Sequence, residues 1–334
     1  MGYDINRMQW IDNARAFGIV AVVFTHAQSS SEYLNTLLGN LHMPLFFFLS
    51  GFLLKQIYLE MPFIRYVKKN IKTLIIPYGL FWSLSYIYWL LTWKFGTQVE
   101  KYIAIKFYEP FWGLIYGTRD GLYVNQVLWF FPCLFITALI FYILNNVRNR
   151  YGRTAIIIGV GLLSPLLFNT PLPWNINVSC VALVFYAFGH WCMKHNFFSL
   201  LTGDIKLSFI VVCACLLFLF IFSTYNGLIS MAESNYGNIL LFYLNALLGI
   251  TTVTILSHFF SSTKLVAWLS ANTIIIFPTH FLMFSIITGF SLLFFGVRIS
   301  DQYVGILYTI ISIVLCIPAS YIIRRYMPFV IGYR

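Results

Sequence analysis

Apolar stretches long enough to cross a bilayer recur along this chain from near residue 12 to near residue 324, and they leave room for little else. The hydrocarbon core of a membrane is about 30 Å thick, so a spanning helix takes roughly 20 mostly apolar residues. Ten such segments are expected, near 12–29, 42–58, 72–93, 124–146, 154–169, 178–194, 206–224, 237–258, 268–296 and 303–324. Only 9% of the residues are charged. A soluble globular chain carries about 25% and could not cover its surface on less than half of that. The expected fold is all-α: a polytopic integral membrane protein of about ten transmembrane helices, with residues 1–334 forming one transmembrane domain and no separate soluble domain. Asp4, Arg7 and Asp12 stand before the first run and no small-residue cleavage site follows it, so that run is expected to persist as a helix rather than be removed as a signal peptide.

The net charge of +11 does not point to nucleic acid, because the basic residues sit between the apolar spans. With the N-terminus inside, Arg7, the cluster Arg65, Lys68, Lys69 and Lys72, the cluster Arg148, Arg150 and Arg153, and Arg334 fall on the cytoplasmic side. The other side collects only Lys94, Lys101, Lys106, Arg119 and Arg298. That asymmetry follows the positive-inside rule and is expected to place both termini in the cytoplasm. The six cysteines lie in or beside apolar segments without paired or C-x-x-C spacing, and are read as reduced, packed thiols.

Ionisable groups inside spans cost roughly 2.5–3.5 kcal/mol each on insertion scales, which makes them candidates for function. The first span holds three, Asp12, Arg15 and His26. Arg15 and His26 are eleven positions apart, close to three turns, so they share a helix face at an axial separation of about 16 Å. Asp12 precedes Arg15 by three residues and can pair with it. The plainer alternatives are that Arg15 snorkels to the interface, that Asp12 is an exposed terminal residue, and that His26 is a satisfied core histidine.

The second span opens at His42-Met-Pro-Leu-Phe and contains Ser50-Gly51, a pattern that suits tight helix packing. His280 follows Pro278 near mid-membrane depth. His190, His195 and His258 fall near helix ends and read as structural. The long outer segment around 94–123 is rich in aromatics, including Tyr102 and Trp112, which suit interfacial anchoring or stacking against a sugar. Candidates for substrate contact are His42, Trp112, Trp129 and Glu233. No metal-ligand spacing, serine-hydrolase elbow or P-loop is present, and no metal is expected.

Taken in order, these residues resemble a known family. Trp10-Ile11-Asp12 with Arg15, then His26, then His42 to Phe52, is similar to the opening of the membrane acyltransferase-3 proteins, nearest to their fucose 4-O-acetylase-like branch. The likeness continues at Leu128 to Pro132, Pro173-Trp174, Phe185 to Gly189, Tyr236 to Asn238 and Ser270 to His280. The resemblance implies an O-acyltransferase that takes an acetyl group from cytoplasmic acetyl-CoA and places it on a sugar hydroxyl of a lipid-linked or surface glycan, in a bacterial inner membrane. Arg15 and His26 match the family's functional pair. Arg15, Arg65, Lys68, Lys69 and Lys72 are the expected coenzyme A contacts, with Lys69-x-x-Lys72 standing where the family has two arginines. Lysine binds phosphate as a point charge, without the bidentate fork. Asn177 stands where an acidic residue is expected. His26 is the expected base or acyl carrier, and His280, Ser50 or a backbone N–H the expected oxyanion donor. The competing expectation from the intramembrane Asp, Arg and His is a proton-coupled transporter; no internal repeat supports it.

Overall fold

The computed structural model describes residues 8–27, 32–94, 104–296 and 304–331. Arg7, Lys101, Tyr102, Arg298 and Arg334, used above, lie outside the described residues. Among the described residues there is no strand, and fourteen helices follow one another. They are α1 Gln9–His26, α2 Glu32–Gly39, α3 His42–Phe52, α4 Gln56–Glu60, α5 Phe63–Thr92, α6 Pro110–Tyr116 and α7 Phe130–Asn145. After them come α8 Arg150–Leu167, α9 Ile176–Lys194, α10 Phe197–Thr202, α11 Ile205–Asn226, α12 Ile239–Phe259, α13 Lys264–Phe295 and α14 Gly305–Tyr326.

Among the described residues, seven helical segments are long and apolar enough to cross a bilayer: α5, Gln126–Asn145 (α7 with its leading 3-10 turn), Pro173–Lys194 (α9 with its own), and α11 to α14. The other three expected spans are helical as well but do not reach that length and apolarity. α1 has 18 residues but carries Asp12, Arg15 and His26. α3 has 11, far short of the expected 42–58, because the helix stops at Leu53 and a second short one, α4, starts at Gln56. α8 has 18 residues but begins with Arg150 and Arg153.

Helix starts are written locally. Asn149, Asp204, Asn238 and Thr263 each cap the helix that follows by accepting from its first backbone N–H groups. α6 begins at Pro110 and stops at Gly117, whose φ of +68° is the left-handed conformation that ends helices.

The packing is inverted relative to a soluble bundle. α11 buries Ser208, Val212, Cys215, Leu219 and Ser223, one stripe at helical spacing, while Phe209, Ile210, Leu217 and Phe218 stay exposed. α14 buries Gly305, Tyr308, Thr309, Ser312, Cys316, Ser320 and Ile323 and exposes Ile306, Leu307, Ile310 and Ile317. The faces turned to protein carry the small and weakly polar residues of these two helices among a few large ones, and the outward faces are large and apolar, as lipid allows. All six cysteines are free thiols.

α1 sits at the centre, against α3, α12, α13 and α14. Buried Asp12 accepts from Ser270 Oγ at 2.5 Å, and Asn13 Nδ2 donates to the carbonyls of Ser257 and Phe260 at 2.9 and 2.6 Å. Trp10 stacks on His258 with ring centroids 4.8 Å apart. Asp12 is therefore not the exposed terminal residue of the plainer alternative, since it ties α1 to α13.

Candidate functional site

Two cavities lie one beyond the other along α1, and α3, the segment Gln126–Asn145 and α13 contribute to both in matching order. The first, about 540 Å³, contains Arg15, with Ser50 and Leu49 of α3, Leu134 of α7 and Ser270 and Thr273 of α13. The second, about 300 Å³, contains His26, with His42 and Met43 of α3, Trp129 just before α7, and the loop residues Arg119 and Glu233. Phe277 lines both. Its ring meets those of Phe130 and Phe131 at centroid distances of 5.3 and 6.0 Å, and Phe130 meets Phe46 at 6.2 Å. An aromatic septum thus separates an arginine cavity from a histidine cavity, and the two side chains expected to share a face of α1 stand one on each side of it.

His26 is exposed to its cavity. Its Nδ1 lies 2.8 Å from the Val22 carbonyl. A carbonyl oxygen can only accept, so Nδ1 carries the proton and Nε2 presents a bare lone pair. That is the tautomer a general base or nucleophile needs, held by the helix's own backbone one turn back. His280 is fully buried behind it, with ring centroids 5.3 Å apart. Its Nδ1 lies 3.1 Å from the Ile276 carbonyl, and its Nε2 has no hydrogen-bond partner among the described residues. His42 is arranged the same way, Nδ1 to Leu38 O at 2.6 Å. Three imidazoles from three helices therefore come to one region, each with its proton directed to a helix carbonyl.

His280 follows a proline inside the continuous helix α13. Pro278 has no N–H to give the preceding turn, and its own carbonyl accepts from Asn125 Nδ2 at 2.8 Å. The same Nδ2 reaches Ser85 Oγ at 2.8 Å, and Asn125 is fully buried. One amide thereby links α5, the segment before α7, and the proline turn.

The rim of the histidine cavity is made of two loops. The segment through α6 is braced by Tyr78 Oη donating to Leu114 O, Trp174 Nε1 to Ile115 O and Asn175 Nδ2 to Gly117 O, at 2.7, 2.8 and 2.7 Å. It is a built structure rather than a bare linker, and it delivers Arg119. Burial lowers the pKa of that guanidinium, against an opposing effect of Asp120; an arginine so shifted is still a cation. The second loop turns at Gly227 (φ +72°) and pairs Ser230 with Asn235 through two backbone bonds of 2.9 and 3.0 Å. It delivers Glu233, and Arg119 Nη1 forms an ion pair with Glu233 Oε1 across the cavity.

The structure gathers His26, His42, Trp129 and Glu233 into one cavity, with His280 behind it. Arg15 goes to the other cavity, and Trp112 to neither: it is 62% exposed on α6. Arg65, Lys68 and Lys72 are exposed and do not line the arginine cavity. Lys69 sits over the Tyr58 ring, 4.0 Å from its centroid. That segment reaches the cavity through Leu74, part of a π-helical turn Ile71–Ile75. Ser50 lines the arginine cavity, and its hydroxyl already donates to Phe46 O at 2.7 Å. Asn177 is engaged by its surroundings, its Nδ2 donating to Thr170 O and Ser234 Oγ and its Oδ1 accepting from Leu172 N. The residues sequence reading missed are Arg119, noted only as an outer charge, and Asn125.

Comparison with curated proteins and with solved structures found no match. A family model described as an acyltransferase domain, acyltransferase-3, matches residues 8–325. That span takes in both cavities and the helices that form them, and the chain belongs to this family of membrane acyltransferases.

Proposed function

We propose that the protein moves an acetyl group from acetyl-CoA to a hydroxyl of a cell-surface glycan, presented in lipid-linked form at the outer face of a bacterial cytoplasmic membrane. The observation that carries this reading is His26, open to a cavity with its Nε2 lone pair free, one aromatic layer away from an arginine-bearing apolar cavity on the same helix. The donor occupies the arginine cavity, its thioester against the septum and its phosphates toward the basic run of Arg65, Lys68 and Lys72. The acceptor occupies the histidine cavity, where Trp129 offers an aromatic face and Arg119 and Glu233 offer donors and acceptors to neighbouring hydroxyls. The fucose 4-O-acetylase-like motifs support the choice of a sugar.

In the reaction, Nε2 of His26 takes the proton of the acceptor hydroxyl as the oxygen bonds to the thioester carbonyl carbon. The carbon–sulfur bond then breaks, and the leaving thiolate receives the proton from the imidazolium. The His280 ring stands against that of His26 and fixes its position during the transfer.

The test uses purified protein in detergent, acetyl-CoA labelled in its acetyl group, and a lipid-linked oligosaccharide extract. Wild type is expected to label glycan. His26→Ala, shown to be folded by its thermal unfolding, is expected to transfer nothing. Equal transfer by the two proteins refutes the assignment of His26, and label retained on rapidly denatured wild-type protein at neutral to alkaline pH but absent from His26→Ala makes His26 a carrier rather than a base.

A further inference from the structure

We propose that Phe277 is the residue that sets the length of the acyl group. The inference rests on the reading above, in which donor and acceptor meet across the aromatic septum. Arg15 and His26 belong to different cavities, so an acyl group carried in on the arginine side reaches the histidine only where the two cavities adjoin. Phe277 is the side chain common to both walls. It is 5% exposed and is held between Phe130 and Phe131 on one side and His280, at 6.3 Å between centroids, on the other.

A carbonyl carbon brought to His26 puts its acyl tail against this ring. An acetyl methyl needs little room there. Each further methylene has to displace Phe277, and the ring has little freedom to yield. It immediately precedes Pro278, whose carbonyl is anchored by buried Asn125. Nor is there slack beyond the septum, because the histidine cavity is the smaller of the two and must still admit the acceptor. The donor's length is therefore read by one ring at the junction rather than by the depth of a pocket.

The experiment compares wild type, Phe277→Ala, Phe277→Leu and Phe277→Trp with acetyl-, propionyl-, butyryl- and hexanoyl-CoA competing for the same glycan extract, products resolved by mass. Wild type is expected to favour acetyl strongly. One methylene in a tight pocket is worth about 10–200-fold in discrimination, so Phe277→Ala is expected to raise the butyryl-to-acetyl ratio by about 10-fold or more. Phe277→Leu should show a smaller gain in the same direction, and Phe277→Trp should exclude propionyl. The two milder variants keep the test open if the alanine variant does not fold. Wild-type acetyl transfer with an unchanged donor ratio in every folded variant overturns this inference and leaves the proposed function standing. Absence of transfer by wild type overturns both.

Discussion

At the contact between α3 and α9 a single added atom has a large and foreseeable effect on how two helices pack. At Gly51 an added Cβ would lie 1.9 Å from the carbonyl oxygen of Tyr186, and at Gly189 it would lie 2.1 Å from that of Phe48. Ordinary contact begins at 3.4 Å, so Gly51→Ala requires the two helices to part by about 3.4 − 1.9 = 1.5 Å. The obstacle is backbone, with no rotamer to relieve it. Overpacking of this kind costs about 1–3 kcal/mol, occasionally more. Alanine is also the better helix former, by about 1 kcal/mol, which would mask part of the loss.

Gly159, in α8, has nothing within 4 Å of its would-be Cβ, so Gly159→Ala carries the helix-forming gain alone. The difference between the two variants isolates the steric term. Purified in the same detergent and heated under the same protocol, Gly51→Ala is expected to unfold well below Gly159→Ala, by an amount equivalent to about 1–3 kcal/mol. Because α3 also carries His42 and Phe46 into the two cavities, its displacement is expected to reduce acyl transfer as well. Equal thermal stability of the two variants would refute the reasoning, since it would mean that the helices are not in backbone contact at Gly51.

Asn125→Ala removes the amide that bonds both Ser85 and Pro278 and leaves a buried carbonyl unsatisfied; it should lower thermal stability by about 1–3 kcal/mol and reduce kcat, with an unchanged unfolding profile counting against the anchor. Arg119→Ala and Glu233→Ala each break a half-exposed ion pair, worth less than about 1 kcal/mol to stability, but should raise KM for the acceptor and leave KM for the donor unchanged; steady-state kinetics with each substrate varied in turn would show a donor effect if the rim belongs to the other cavity.

What could be read from the chain alone divides along a physical line. The period and length of the apolar runs placed the helices, because lipid demands satisfied backbone in every span and the residue types that face it are unmistakable. The expected 42–58 span failed for a local reason. The apolar run continues past Phe52, but the helix does not, and no hydropathy pattern marks where α3 ends and α4 begins. Arg15 and His26 were legible as a pair on one helix face. That they open onto different cavities was not, since the septum is made by Phe46, Phe130 and Phe277 from three other helices. Arg119 and Glu233 are joined across two loops far apart in sequence, which no local spacing encodes. Trp112 read as well as Trp129 did, both being aromatic and near the outer segment, and only the fold separates them.

The same line explains the intramembrane polar residues. Asp12 and His26 rank as functional candidates from sequence because ionisable groups in a span are costly, while Asn177 stands out only as an unexpected amide and Asn125 not at all. What distinguishes them is whether the fold supplies partners. Asp12 has Ser270, Asn125 spends its Nδ2 on Ser85 and the Pro278 carbonyl while its buried Oδ1 has no partner among the described residues and lines neither cavity, and Asn177 uses both its donor and its acceptor on three groups. An aspartate at position 177 could not make the two donations to Thr170 and Ser234, so an amide there is the residue its neighbours require. His26 satisfies one nitrogen on Val22 and leaves the other facing an open cavity. A side chain fully satisfied by its neighbours holds the fold together, and one left half-satisfied toward a cavity has a group to offer a substrate.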